Sequence, residues 1–261
     1  MRAIITGAAS GIGKACARVL AKSALARGEI VQLLLVDRAE AQLELAATEI
    51  RSDRVAVSTC LADLARDDCA LVISEHAANE FKGVDVLVSN AGWLGTSSLV
   101  VLSLPDWELS FAVNTRATWL VAKACRPLLS KTGGTIVATA SLSATQPTPP
   151  HGAYSASKAA LVMLIRQMAY EWGPLGIRCN CVSPGMIHTS MTDSVYSDPV
   201  KRAERSKHIP LQRVGTPDDV ARVVAFLVGP DAAYITGVDL IVDGGVHTAL
   251  MPTLRGAATP S

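Results

Sequence analysis

Two residues four apart, Tyr154 and Lys158 in "YSASK", are the pair in this chain best suited to moving a proton. At helix spacing i and i+4 their side chains share one face, about one turn apart. A lysine ammonium beside a tyrosine hydroxyl favours the phenolate. A tyrosine whose pKa starts at about 10 must come down to act as a base near neutrality. Such a pair alone is common, and its plainer meaning is a surface contact on a helix. Ser141 changes the weighting, because it stands thirteen positions before Tyr154, just after the apolar run "TIVATA". A hydroxyl there can hold a substrate oxygen at the carboxyl end of a strand, where open α/β sheets place their ligands.

A second constellation lies at the start of the chain. "TGAASGIG", Thr6 to Gly13, follows an apolar run and precedes a helical pattern. Glycines let the backbone turn sharply and approach a phosphate without a Cβ in the way. The helix that follows offers free N–H groups and a positive dipole end to a pyrophosphate. The residues read as lining that site are Gly7, Ser10, Gly11, Ile12 and Gly13. Asp37 ends the second apolar run, in "LLLVDR". A carboxylate there accepts from ribose hydroxyls and repels the extra phosphate of NADP. A helix cap or a plain surface acid is its competing meaning. Ser10 stands where a basic residue would help that phosphate, so the cofactor is read as NAD. Arg38, beside Asp37, keeps an NADPH-dependent reductase open as an alternative.

These residues need a scaffold, and the pattern supplies one. Strands are expected near 2–6, 32–36, 54–58, 84–88, 134–139, 177–182 and 238–242. Helices are expected near 12–26, 40–51, 67–80, 106–130, 154–173 and 217–228. Strand–helix alternation implies an α/β, doubly wound fold with a parallel seven-stranded sheet flanked by helices on both faces. Runs such as "LLLV" and "VDVLV" suit strands buried on both sides. No composition shift divides the chain, so residues 1–261 read as one dinucleotide-binding and catalytic domain. Residues 186–216 break the alternation with small polar residues and short helical pieces, as a substrate-loop insertion would. In the tail, 247–261, Leu250, Met251 and Leu254 are candidates to dock on the body.

Composition narrows the classes of function. The chain has 261 residues, 49% of them hydrophobic, with 24 basic against 23 acidic side chains. A net charge of +1 provides no field for nucleic acid or an anionic membrane. The six cysteines, at 16, 60, 69, 125, 179 and 181, form no C-x-x-C pair and suit no metal. They read as reduced small hydrophobes, which places the protein in a cytoplasmic setting. No run of about 18 apolar residues offers a transmembrane helix, and "MRAIIT" is no signal peptide.

In their order and spacing these motifs resemble the short-chain dehydrogenase/reductase family, from Thr6 to about Gly245. The resemblance rests on "TGAASGIG", Asp63 in "LADL", "NAG" at Asn90 to Gly92, Asn114 in "FAVN", Ser141, "YSASK", "PGMIHT" and "ITGVDLIVDGG". It implies a catalytic tetrad of Asn114, Ser141, Tyr154 and Lys158. Ser141 would hold the substrate oxygen, Tyr154 would pass the proton, and Lys158 would lower the tyrosine pKa and grip the nicotinamide ribose. Asn114 would hold a water joining Lys158 to solvent. The resemblance also implies that Asp63 and Leu64 meet the adenine, and that Asn90, Ala91 and Gly92 lie along the cofactor. Pro184, Gly185, Ile187 and Thr189 would orient the carboxamide. Each has a plainer competitor: a helix kink at Asn114, a strand end at Asp63, a helix cap at Thr189. Ser89 and Ala140 depart from the commoner pattern, with no catalytic group lost.

The substrate pocket is expected from Trp93, Ser143, Gln146, His151, Met186 and Met191, with Leu94, Pro147, His188 and Tyr196 around them. This set is mostly apolar and holds no lysine or arginine. It suits a secondary alcohol or ketone on a hydrophobic small molecule, with cyclic ones such as a terpenoid, aromatic or steroid among the candidates. His151 reads as lining the loop rather than relaying a proton. The alternatives are an NADPH-dependent ketone or acyl-carrier-protein reductase and a non-catalytic dinucleotide sensor. The apolar stretches "ATWLVAKAC" and "ALVMLIRQMAY" suit a homo-oligomer, with a tetramer expected over a dimer.

Overall fold

Period-two alternation within each strand sends successive residues to opposite faces of the sheet. Ala3 and Ile5 enter one apolar core and Ile4 enters the other; Leu33 and Leu35 divide from Leu34 and Val36 in the same way. That two-sided burial explains why the strands read as unbroken apolar runs. The structure, a computed structural model, describes residues 1–249, so the docking expected of Leu250, Met251 and Leu254 lies outside the described residues.

In chain order the elements begin β1 (Arg2–Thr6), α1 (Gly11–Ala26), β2 (Val31–Asp37), α2 (Glu40–Ile50), β3 (Val55–Leu61), α3 (Cys69–Glu80) and β4 (Val86–Ser89). Next come α4 (Leu104–Phe111), a π-helical turn (Ala112–Arg116), α5 (Ala117–Ser130), β5 (Thr135–Thr139), α6 (Gly152–Trp172) and β6 (Arg178–Pro184). The chain closes with α7 (Asp193–Tyr196), α8 (Pro199–Ser206), α9 (Pro217–Val228) and β7 (Asp239–Val242). The strands form one parallel sheet in the order β3-β2-β1-β4-β5-β6-β7. Helices α1, α2 and α9 cover one face and α3, α5 and α6 the other. The doubly wound architecture is as expected.

Two boundaries differ from expectation for physical reasons. The third strand runs to Leu61 rather than 58, because its ladder with β2 continues in register to Asp37. The helix expected over 106–130 is interrupted. It starts at Leu104, where the Ser103 hydroxyl accepts from the Asp106 N–H and Pro105 fills the first turn. It then widens into the π turn at 112–116 before α5 begins.

The 186–216 segment has its own small core of Tyr196, Ile209 and Val214. Its two ends are tied by a bridge between Ile187 and Gly215. The His188 N–H donates to Gly215 O and the Gly215 N–H to Met186 O, both at 2.9 Å. All six cysteines are buried and free. Among the described residues no helix is long and apolar enough to cross a membrane.

Candidate active site

Sheet order reverses direction at β1, whose neighbours are β2 and β4. The loops leaving those strands diverge there and open a crevice. A cleft of about 400 Å³ occupies it, lined from the glycine loop at one end to Tyr154 and Met191 at the other.

The glycine loop has the shape a dinucleotide requires. Gly7 and Gly11 sit at φ +66° and +53°, which an L side chain rarely adopts. Ser10 stands at the N-cap of α1 without capping it; its hydroxyl bonds instead to the Ser190 hydroxyl at 3.0 Å. The first-turn N–H groups of α1 therefore keep their capacity for an anion. Gly7, Ser10, Gly11 and Ile12 line the cleft, but Gly13 does not. A Cβ at Gly13 would stand 2.0 Å from Gly7 O, so this glycine lets the helix close onto the strand.

Asn90 lines the cleft and has a second task besides. Its amide donates to Thr6 O and Gly7 O, each at 3.3 Å, and accepts from the Thr139 hydroxyl at 3.1 Å. It stitches the glycine loop to β5. Thr6 adds to this by accepting from the Asn90 and Ala91 N–H groups. Thr6 and Thr139 are positioning residues that the motifs did not single out. Asp37 lines the cleft while its carboxylate accepts from the Ala9, Arg38 and Ala39 N–H groups. It thus pins the loop and begins α2, and a carboxylate with about four acceptor positions keeps one for a ribose hydroxyl. Asp63 turns its chain by accepting from Ala65 N–H, and it lines the cleft together with Leu64, Ala91 and Gly92. Pro184, Gly185, Ile187 and Thr189 line the other wall. Thr189 is also the helix cap that was its competing meaning, in a reciprocal box with Thr192.

The catalytic groups converge at the end of β5. Ser141 follows the strand, and its Oγ accepts from the Ser143 N–H at 3.1 Å. Tyr154 and Lys158 lie one turn apart on α6. Lys158 is 3% exposed and donates from Nζ to Thr139 O at 2.7 Å. A Cβ at Gly92 would press on Asn114 Oδ1 at 3.3 Å and touch Lys158 Nζ at an ordinary 3.5 Å. Asn114 sits in the π turn, where its side chain exchanges bonds with the Trp93 backbone at 2.8 and 3.0 Å. Its Nδ2 also faces the Ser157 hydroxyl at 3.0 Å. The kink that was its competing meaning is present, and the widened turn aims Asn114 at the loop after β4 rather than into the lining of the cleft.

The electrostatics depart from expectation. Burial raises the Tyr154 pKa above its ordinary value, and only a hydrogen bond with Ser141 pulls it down. Lys158 directs its proton to Thr139 O, with Nζ 5.8 Å from the tyrosine ring centroid, and does not offset that burial. Lys158 is itself pushed down to about 8 by burial. Holding this lysine buried costs stability while it is charged in both folded and unfolded chains. The cost amounts to about 3 kcal/mol below pH 8. Between the folded and unfolded pKa values the unfolded chain binds more protons, so stability rises with pH there. Lys158→Met is accordingly expected to raise urea resistance at neutral pH while abolishing turnover. A variant less stable than the parent would contradict this account of the lysine.

Trp93, Ser143, His151, Met186 and Met191 line the cleft, with Leu94 and Tyr196 beside them. Gln146 is not among the lining residues. The turn at Leu142–Ala144 swings it outward, with its N–H on Leu142 O, and it is exposed together with Pro147. His188 faces the other side of the inserted segment, paired with Asp193 at 3.0 Å. Leu109, Val113 and Thr148 line the cleft unexpectedly. The first two stand four apart just before Asn114, a spacing that was available as a signal.

A parallel sheet with a glycine loop at its switch point and a Ser–Tyr–Lys set beside it defines a nicotinamide-dependent oxidoreductase. Over residues 7–247 the chain matches a family model described as Enoyl-(Acyl carrier protein) reductase. It is 35% identical to D-threitol dehydrogenase of Mycolicibacterium smegmatis over 93% of this chain and 91% of that one. It is 36% identical to 2-(R)-hydroxypropyl-CoM dehydrogenase of Xanthobacter autotrophicus, over 95% and 98% of the two chains. Its fold is similar to that of L-sorbose reductase from Gluconobacter frateurii, solved with NADPH and L-sorbose, with a TM-score of 0.87 and 29% identity over 94% and 95% of the chains. The chain belongs to the short-chain dehydrogenase/reductase family. It is an alcohol–ketone oxidoreductase that uses a nicotinamide dinucleotide.

Proposed function

We propose that this enzyme uses NAD to interconvert a secondary alcohol and its ketone on a mostly apolar small molecule. The observation that carries the reading is the meeting of Ser141, Tyr154 and Lys158 at the mouth of a cleft that begins at the glycine loop. The glycines, the uncapped start of α1 and Asp37 fit a dinucleotide, which supplies hydride transfer when bound. The chain's own groups do the rest. Ser141 holds the substrate oxygen, with its Oγ already accepting a backbone N–H and its own proton available to donate. Tyr154 gives a proton to that oxygen in reduction and takes it in oxidation. Lys158 and Asn114 fix the site behind it. Trp93, Leu109 and Met191 offer apolar contacts to the rest of the substrate.

NAD is favoured by the Asp37 carboxylate at the end of β2, where a phosphate on the ribose would be repelled. Arg38 is exposed beside it and supports the NADPH alternative. Initial rates with both cofactors, followed at the reduced-nicotinamide absorbance, test the reading. NAD is expected to give the higher kcat/KM, and a clear preference for NADP would overturn it. Because the raised Tyr154 is protonated at neutrality, alcohol oxidation is expected to climb from about pH 6 to 9 while ketone reduction does not. An oxidation rate that is flat over that range would remove the tyrosine as base.

We also propose that copies of this chain associate as a tetramer in the cytoplasm. Trp119, Met163 and Tyr170 stand out from α5 and α6, and Phe226 and Ile241 from α9 and β7. Exposed apolar faces of this kind suit protein contacts. Light scattering on the purified protein checks it, and a monomer at micromolar concentration would rule it out.

A further inference from the structure

One stretch of the cleft is chemically unlike the rest. Trp93, Leu94, Leu109, Val113, Met186 and Met191 are apolar, whereas Ser143, Thr148 and His151 come from the single segment that also carries Ser141 and leads into Tyr154. Two of those three polar groups are spent on each other. The Ser143 and Thr148 hydroxyls bond at 2.9 Å, and Thr148 donates onward to Gln146 O. His151 is different. Its Nδ1 lies 2.9 Å from Gly95 O. A carbonyl oxygen only accepts, so Nδ1 carries the proton and the neutral ring is left with a lone pair at Nε2. Among the described residues Nε2 has no partner. The ring lines the cleft, half-buried, three positions before Tyr154 at the N-cap of α6.

We propose that His151 is a specificity-determining residue whose Nε2 accepts a hydrogen bond from a second hydroxyl on the substrate. His151 and Tyr154 both line the cleft from the start of α6, three positions apart. A substrate whose reacting oxygen faces Tyr154 can therefore turn a second, nearby oxygen to His151. The substrate is then a vicinal diol, or its hydroxyketone, on an otherwise apolar frame. A site built to accept from a hydroxyl discriminates against the analogue lacking it, because its own polar group is then left unpaired. This inference rests on the alcohol–ketone reading above and adds the second oxygen to it.

The test is the ratio of kcat/KM for vicinal cyclohexanediol to that for cyclohexanol, measured with NAD on the whole enzyme. The ratio is expected at about ten in the parent protein. His151→Asn places its amide nitrogen where Nδ1 stood, keeping the Gly95 bond and deleting the acceptor, and the ratio is expected to fall toward one. His151→Gln carries an amide oxygen to the Nε2 position and is expected to restore part of it. A merely structural histidine would lower both rates together and leave the ratio where it was, which would overturn the proposal. So would a parent ratio near one, with the alcohol–ketone reading left standing. Failure of the parent enzyme to oxidise either compound, or any other alcohol in a panel, would bring down that reading and this inference with it.

Discussion

Tyr154→Phe is expected to bind NAD with undiminished affinity and to lose about a thousandfold or more of kcat. The substitution removes one oxygen. The ring stays half-buried on α6, and Lys158 keeps its bond to Thr139 O, so the scaffold has no reason to move. What disappears is the group that passes a proton to or from the substrate oxygen, and positioned acid–base groups contribute roughly 10²–10⁴. Among the described residues no other acid stands in its place. Ser141 has the hydroxyl nearest the chemistry but no base beside it, and Lys158 is turned toward a carbonyl. Titration of protein fluorescence with NAD, set against steady-state rates, separates binding from turnover. A variant retaining more than a few per cent of activity would mean that another group carries the proton.

Gly13→Ala is expected to damage fold and cofactor site together. The added Cβ would meet Gly7 O at 2.0 Å and Asn90 Nδ2 at 2.7 Å. Neither neighbour can step aside. One is backbone at the end of β1, and the other is held by Thr6, Gly7 and Thr139. Either α1 moves off the sheet or the glycine loop opens, and overpacking of this kind costs about 3 kcal/mol. Gly28→Ala makes the control. It meets nothing within 4 Å, and at φ +81° it bears only the local strain of about 1–2 kcal/mol. Urea midpoints for the two variants, with NAD affinity for each, check the contrast. If Gly13→Ala kept both its midpoint and its affinity, the close approach of helix to strand would not be what this glycine is for.

The features legible in the sequence were those set by local pattern. Leu33 to Val36 read as a buried strand because alternate faces both need apolar side chains. Tyr154 and Lys158 read as a pair because helix spacing alone brings them together. What escaped depended on distant parts of the chain. The π turn at Ala112–Arg116 exists because Asn114 is held by the Trp93 backbone and Ser157, residues 21 and 43 positions away. Asn90 lines the cleft, and its amide also bonds the loop after β1 and Thr139, a second task that no local spacing shows. Gln146 lost its expected place to a single turn of helix beside Ser141. The sign of the Tyr154 shift was missed for a related reason. Proximity to Lys158 is visible in a four-residue spacing, whereas burial is a property of the whole assembled cleft.

The inserted segment between Met186 and Gly215 has its two ends tied to each other by two backbone bonds, and it packs around Tyr196, Ile209 and Val214. It behaves as a cartridge. Exchange of the part beyond Thr192 leaves Ile187 and Thr189 on the cleft wall and Ser190 on Ser10. Molecular recognition in this protein is therefore free to drift over evolutionary time while its chemistry stays fixed, and a chimera exchanging this stretch alone is the natural route to redirecting it.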